Sequence, residues 1–204
     1  MPIEYEPCSL CQNHAEYSCS HCGELVCAND ARIRVICTNC LSQKHCEYRI
    51  RQAVCDDFES LEALVTLFWG DPMQLMFDQH FKVTEHPAII AETNDGIGGF
   101  IFYTPFRKDW VLIIALGVLP QFQGCGIGRD LVAHVEKITK EQGRQRLFVV
   151  TTNDNLPALA FYQRVGFQLF EVIPNVVSQK LGGTFPGFAH IPIRDELRLR
   201  KQVI

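Results

Sequence analysis

Nine of the ten cysteines in this 204-residue chain lie before residue 56: Cys8, Cys11, Cys19, Cys22, Cys27, Cys37, Cys40, Cys46 and Cys55. Only Cys125 lies beyond. A disulfide scaffold needs an oxidising compartment, and the acidic N-terminus, Met1-Pro2-Ile3-Glu4-Tyr5-Glu6, carries no apolar signal core. Cysteine pairs two residues apart read better as metal ligands. Cys8-x2-Cys11, Cys19-x2-Cys22 and Cys37-x2-Cys40 are three such knuckles, and Cys27-x2-Asp30 is a fourth pair. Each tight turn brings two ligands onto one face of an ion, and four sulfurs suit the tetrahedral preference of zinc. A segment of ~50 residues cannot bury enough apolar surface to fold alone, so a metal would supply the missing stability.

Eight ligands in four pairs predict two zinc ions. The alternative is one zinc, with the remaining cysteines as buried or free thiols. The order of the pairs over residues 8–46 resembles the B-box class of cross-braced zinc modules. That resemblance implies Cys8, Cys11, Cys27 and Asp30 on one zinc, and Cys19, Cys22, Cys37 and Cys40 on the other. It departs from the class in ending on cysteines where B-box modules end on histidines; His45 or Cys46 could replace a member of the last pair. Five Lys/Arg against six Asp/Glu before residue 56 are too balanced for a nucleic-acid reader, which shows a basic stripe. The module therefore reads as a structural or protein-docking unit with closed metal sites.

From Asp56 the pattern becomes ordinary α/β, which predicts a zinc module over 1–55 and a second domain over 56–204. Leu61, Leu64, Val65 and Phe68 follow helical spacing, and Gly70 with Pro72 ends that helix. A short helix is expected from Pro72 to about His80. Pro87–Glu92 and Gly99–Tyr103 flank an Asn-Asp-Gly turn and read as a hairpin. Trp110–Val118 is a long apolar strand fit for a sheet centre. A glycine-rich turn, Gln123-Gly124-Cys125-Gly126-Ile127-Gly128-Arg129, then opens a helix that ends at Gly143. Further strands are expected at Arg146–Thr151, Phe167–Ile173 and Glu196–Val203, a helix after Pro157, and a long loop over 174–190. The longest apolar run falls far short of the ~18 residues of a membrane span. The chain thus reads as soluble and cytoplasmic, and its net charge of −4 gives no global pull toward nucleic acid or acidic membranes.

Strand, glycine turn and helix together form an anion cradle, because glycines admit close backbone approach and the helix N-terminus offers unpaired N–H groups. A P-loop would need Lys-Ser/Thr after its last glycine, but Gly128 is followed by Arg129-Asp130. A dinucleotide fingerprint beginning at Gly124 would need glycine at position 129. The remaining pattern, Gln123-x-x-Gly126-x-Gly128, stands upstream of Asn153-Asp154-Asn155-Leu156-Pro157-Ala158-Leu159-Ala160-Phe161-Tyr162 and Gly166-Phe167. The two motifs in this order resemble the GNAT N-acetyltransferase superfamily over residues 57–204.

The resemblance implies the acyl-CoA N-acyltransferase fold, a mixed central sheet flanked by helices, with acetyl-CoA as the acyl donor and an amine, on a small molecule or a protein, as acceptor. It implies backbone pairing of the pantetheine arm with Leu116 and Val118. The pyrophosphate would lie on the N–H groups of Gln123, Gly124, Gly126, Ile127, Gly128 and Arg129. Asn155 would contact the pantetheine or orient the following helix, and Tyr162 would protonate the departing thiolate. The carboxylate that many members carry on the central strand is replaced here by Ile113 and Ile114. Glu92 and Asp109 are the nearest candidates for a base, with His134 behind them. Cys125 reads as a small, tolerated loop residue, the alternative being a reactive thiol near a helix start. A non-catalytic CoA-binding protein that docks partners through its zinc module is the alternative function.

Overall fold

The computed structural model describes residues 7–11, 15, 17–18, 24–27 and 45–203. Two short strands, β1 (Tyr17–Ser18) and β2 (Leu25–Val26), pair antiparallel within the cysteine-rich segment. The strand β3 (Arg49–Gln52) follows, then helix α1 (Phe58–Trp69) and a hairpin of β4 (Met73–Met76) and β5 (Gln79–Lys82). Strands β6 (Ala88–Thr93), β7 (Gly96–Phe106) and β8 (Trp110–Val118) form an antiparallel meander. Helix α2 (Ile127–Glu141) crosses over to β9 (Arg146–Thr152). Helix α3 (Leu156–Arg164), β10 (Gln168–Ile173), helix α4 (Val176–Lys180), β11 (Phe185–Pro186), β12 (Pro192–Ile193) and β13 (Glu196–Gln202) complete the order.

Seven strands make one sheet in the order β10-β13-β9-β8-β7-β6-β3. Every pairing in it is antiparallel except β8 with β9, where the α2 crossover supplies the long connection a parallel pair requires. The central sheet is therefore mixed, as expected. Side-chain alternation divides the core. Ile89, Ile101, Val111, Ile113, Leu147 and Val149 meet α2 and α3, while Ile90, Phe100, Phe102, Leu112 and Phe148 meet α1 through Leu61, Leu64 and Val65. No helix among the described residues is long and apolar enough to cross a membrane.

Most element positions follow the sequence pattern, with three departures. Met73–Lys82 is a hairpin, not the expected helix: Phe77 and Asp78 both take positive φ (51° and 57°), which makes the tight two-residue turn that matches strand twist. The stretch 174–190 is no plain loop, since it holds α4 and β11. Arg49–Gln52, within the span assigned to the zinc module, is the outer strand of the main sheet, paired with β6 from Arg49↔Glu92 to Gln52↔Ile89. Arg51 anchors it, donating to both oxygens of Asp57 (2.7 and 2.9 Å) and to Glu92 (2.9 Å).

Candidate active site

The pairing of β8 with β9 runs from Trp110↔Arg146 to Ile113↔Val149 and stops there, although both strands continue. At the same level the β7–β8 register shifts: Phe102 faces Ala115 and Tyr103 faces Ile113, leaving Ile114 as the extra residue of a bulge. Ile114 and Ala115 consequently both pack toward α1. Beyond the bulge β8 stays with β7 and leaves β9. Leu119 N–H donates to Gly98 C=O at 3.0 Å, so Leu119 opposite Gly98 is a hydrogen-bonded pair. Bonded and non-bonded pairs alternate along an antiparallel ladder. The next residue, Val118 (opposite Gly99), and Leu116 (opposite Ile101) therefore turn their N–H and C=O groups away from β7, into the gap beside β9.

The glycine turn closes one end of this gap. A 3-10 turn at Pro120–Phe122 follows β8, and the side chain of Gln123 donates to Val118 C=O at 3.2 Å. Gly126 is the N-cap of α2 with φ of +92°, a left-handed conformation that costs a residue with a Cβ. A Cβ there would also stand 3.2 Å from the Arg129 guanidinium. The α2 ladder opens with Asp130 N–H donating to Gly126 C=O (3.1 Å), so Ile127, Gly128 and Arg129 carry the N–H groups that precede it. These amides and the positive end of the helix dipole are disposed as the sequence reading of an anion cradle requires.

Two residues from outside the motif brace this turn. Tyr48 donates to Asp130 at 2.8 Å, and burial, followed by that hydrogen bond, pushes its phenol up to about 12. Cys46 and Cys125 form a disulfide with Cα atoms 5.7 Å apart. Cys125 is thus a fixed point of the loop, where the sequence suggested a merely tolerated small residue, and Cys46 has a partner across the fold instead of a place in the last metal pair.

The downstream motif stitches the far end of β9 to the chain around residue 190. Asn153 Oδ1 accepts from Arg194 N–H (2.8 Å) and Asp195 N–H (2.9 Å), and its amide donates to Pro192 C=O (2.9 Å). Asp154 accepts from Phe188 N–H at 3.2 Å. Asn155 caps α3 by accepting from Ala158 N–H at 3.2 Å, so its described role is to orient that helix. Tyr162, on α3, is buried among the residues that meet Ile113 and Val149, with its ring edge-on to Phe161 and Phe167. Burial raises its phenol well above the ordinary tyrosine value, so it keeps its proton at neutral pH.

None of the sequence candidates for a base reaches the gap. Glu92 is clamped between Arg49 and Arg51, and the Arg51 hydrogen bond holds its carboxyl below the usual range. Asp109 is exposed in the turn before β8, at the end of the paired stretch opposite to the gap, about 13 Å along the strand from Ile113 at ~3.3 Å per residue. His134 is half-buried on α2, two turns beyond the glycine cradle. Ile113 and Ile114 are buried, at 1% and 5% exposure, and offer no proton acceptor.

In the cysteine-rich segment the sulfurs of Cys8, Cys11 and Cys27 lie within 4.8 Å of one another. Leu10 N–H donates to Cys8 Sγ at 3.5 Å. Such a donor set fits a thiophilic ion like zinc. The other expected ligands, Cys19, Cys22, Asp30, Cys37 and Cys40, lie outside the described residues.

Residues 48–167 match the profile of the acetyltransferase (GNAT) family. The chain is 35% identical over 140 residues to the uncharacterized protein YdhI of Bacillus subtilis, covering 66% of this chain and 86% of that one. It is 42% identical over 83 residues to streptothricin acetyltransferase of Streptomyces lavendulae, 39% of this chain and 43% of that one. In fold it resembles a Bacillus subtilis acetyltransferase solved in complex with CoA (TM-score 0.61, 19% identity, 78% of this chain and all of that one).

Proposed function

Because the chain belongs to the acetyltransferase (GNAT) family, an enzyme family, we propose that it moves an acetyl group from acetyl-CoA to an amine by direct attack within a ternary complex. The observation that carries this reading is the gap where β8 leaves β9 after Ile113, with the backbone of Leu116 and Val118 turned into it and the glycine cradle at its end. A pantetheine arm is a chain of amides, and Leu116 and Val118 offer it strand-like pairing. The pyrophosphate belongs on the amides of Gln123, Gly124, Gly126, Ile127, Gly128 and Arg129.

In this reading the neutral amine nitrogen attacks the thioester carbonyl, the new C–N bond forms, and the C–S bond breaks as the tetrahedral intermediate collapses. Holding both reactants in one cleft removes much of the entropic part of the barrier. The Val118 N–H stands on the gap side, where it can donate to the developing oxyanion. Tyr162 gives its proton to the departing thiolate and regains one from solvent before the next turnover; burial holds the phenol protonated until the thiolate forms. The amine proton leaves through solvent, in keeping with the isoleucines at positions 113 and 114. Asn155 serves this chemistry by setting the direction of α3, and with it Tyr162.

The cysteine-rich segment is proposed to be a zinc module. Cys8, Cys11 and Cys27 fit one ion with Asp30 as the fourth ligand, and the spacing of Cys19, Cys22, Cys37 and Cys40 supports a second. Zinc here supplies cross-linking of short loops and takes no part in the transfer. Since β3 belongs to the main sheet and the family match begins at residue 48, we place the boundary between the units near residue 48 instead of 55. The acceptor is a small-molecule or protein amine, and the module is a place for a protein partner to dock.

Calorimetric titration of the zinc-replete protein with acetyl-CoA tests the donor site. Binding in the micromolar range, about 8 kcal/mol, is expected, and Gly126→Glu should abolish it by placing an anion in the cradle. Equal binding by that variant would refute the assignment of the loop.

A further inference from the structure

The cysteine-rich segment has a footing beside the gap. Cys8 and Cys11 precede β1 and Cys27 follows β2 directly, so the three sulfurs close the base of the β1–β2 ribbon. Ser9 N–H donates to Leu25 C=O at 2.9 Å, and Tyr17 pairs with Val26. Cys8 and Cys27 are buried, and Cys11 Sγ lies 3.6 Å from Cys27 Sγ. Two strands of two residues each hold no ribbon by themselves. A metal held by the converging sulfurs would fix its shape.

The ribbon leads to the far wall of the site. The Tyr17 ring meets the Phe188 ring edge-on, with centroids 5.4 Å apart and planes at 73°, and β1 also lies against Pro120–Phe122, the turn that leaves β8. Phe188 is buried, and its N–H donates to Asp154 at the end of β9. Asp154 is 6% exposed, and its Oδ1 has no hydrogen-bond partner among the described residues. The chain passes so close to this carboxylate that a Cβ on Gly187 would overlap it. The ribbon therefore stands at both sides of the gap, with β1 beside the turn that leaves β8 and the Tyr17 ring on Phe188 near the end of β9.

We propose that the metal-held ribbon is the acceptor wall of the transferase site, with Tyr17 as the residue that positions the Gly187–Ile191 turn over Asp154. The proposal rests on the reading of the gap as the reaction site and of Cys8, Cys11 and Cys27 as zinc ligands. The glycine cradle keeps its own brace, Tyr48 on Asp130, so loss of zinc should act first on the acceptor side.

Hydrogen exchange of the full chain tests this without an acceptor in hand. The Phe188 amide is protected by Asp154 only while the turn is seated. An edge-on aromatic pair is worth up to about a tenfold change in such an opening equilibrium. Zinc-loaded wild type should protect residues 185–191. With the same reductant in every arm, chelator-stripped protein and zinc-loaded Tyr17→Ala should each exchange there roughly tenfold faster than zinc-loaded wild type, with acetyl-CoA binding retained. Tyr17→Phe, which keeps the ring, should restore protection. Unchanged exchange at 185–191 in stripped protein and in Tyr17→Ala would overturn the wall while leaving the zinc site standing. Fewer than one zinc per chain on metal analysis would overturn the zinc reading and the metal control with it. Loss of acetyl-CoA binding by the zinc-loaded wild type is a separate result, which strikes the donor site.

Discussion

At the scale of single residues, the chemistry turns on where protons are held. Tyr162 is surrounded by the core that meets α2 and α3, and its phenol is raised by burial alone. Such a group can give a proton at neutral pH but cannot act as a base there. Tyr162→Phe is expected to lower turnover on an identified amine by about 100-fold, with acetyl-CoA affinity kept in calorimetry. Full turnover by the variant would remove the acid role. The raised pKa adds a second test: the pH–rate profile should show no fall due to Tyr162 below about pH 10. Tyr162 and the glycines were legible in the sequence because both motifs are local, with fixed spacing along one segment. Tyr48, Asp154 and Tyr17 were not, since each acts on a residue far along the chain. Tyr48 reaches Asp130 across 82 positions, and no local pattern encodes such a contact.

At the scale of elements, strands with a strong burial pattern were readable from end to end. Trp110–Val118 is one such strand, since a continuous apolar run suits a strand covered on both faces. The splay from β9 was not readable from that run, because it depends on one extra residue in the register with β7. Met73–Lys82 misled for a related reason: its turn uses Phe77-Asp78 at positive φ, without the Asn-Gly signal that marks such turns. The strand β3 was hidden by the cysteines around it and is held by charge. Arg51 donates to Asp57 and Glu92, and the Arg51 hydrogen bond lowers the Asp57 carboxyl pKa. The folded-state value is thus below the unfolded one of ~3.9. The stabilisation is present above that pH and is lost as pH falls through the folded value. Asp57→Ala should cost about 2 kcal/mol at pH 7, since it removes a half-buried charge-assisted pair and the acceptor for Val54 N–H. Urea midpoints measured at successively lower pH should show wild type and variant converging below pH ~4. A gap that stayed constant into acid would show that the Asp57 contribution is not ionic.

At the scale of the whole molecule, the cysteine-rich segment and the transferase unit are joined at several described places, among them Tyr17 on Phe188, β1 beside Pro120–Phe122, Tyr48 on Asp130, and the Cys46–Cys125 bond. The division that composition suggests is therefore a division of chemistry, thiols on one side and an apolar core on the other, and not of contacts. Tyr48 and Cys46 meet the glycine turn or the helix that leaves it. The covalent one links positions 79 residues apart, so it limits the unfolded chain far more than it limits the folded one. A bond of that span contributes about 2–4 kcal/mol to stability. Guanidinium unfolding without reductant should accordingly give a higher midpoint than unfolding with it. Cys46→Ser should sit at the lower midpoint and show no response to reductant. Zinc must be kept saturating in every arm, because reductant also protects the metal-binding thiols, and an unsaturated metal site would shift the midpoint in the opposite direction. If Cys46 and Cys125 are alkylated in protein denatured without reductant, the bond is absent and the loop is braced by Tyr48 alone. In that event Tyr48→Phe, which removes the hydrogen bond to Asp130 on α2, becomes the variant that loosens the cradle and weakens acetyl-CoA binding.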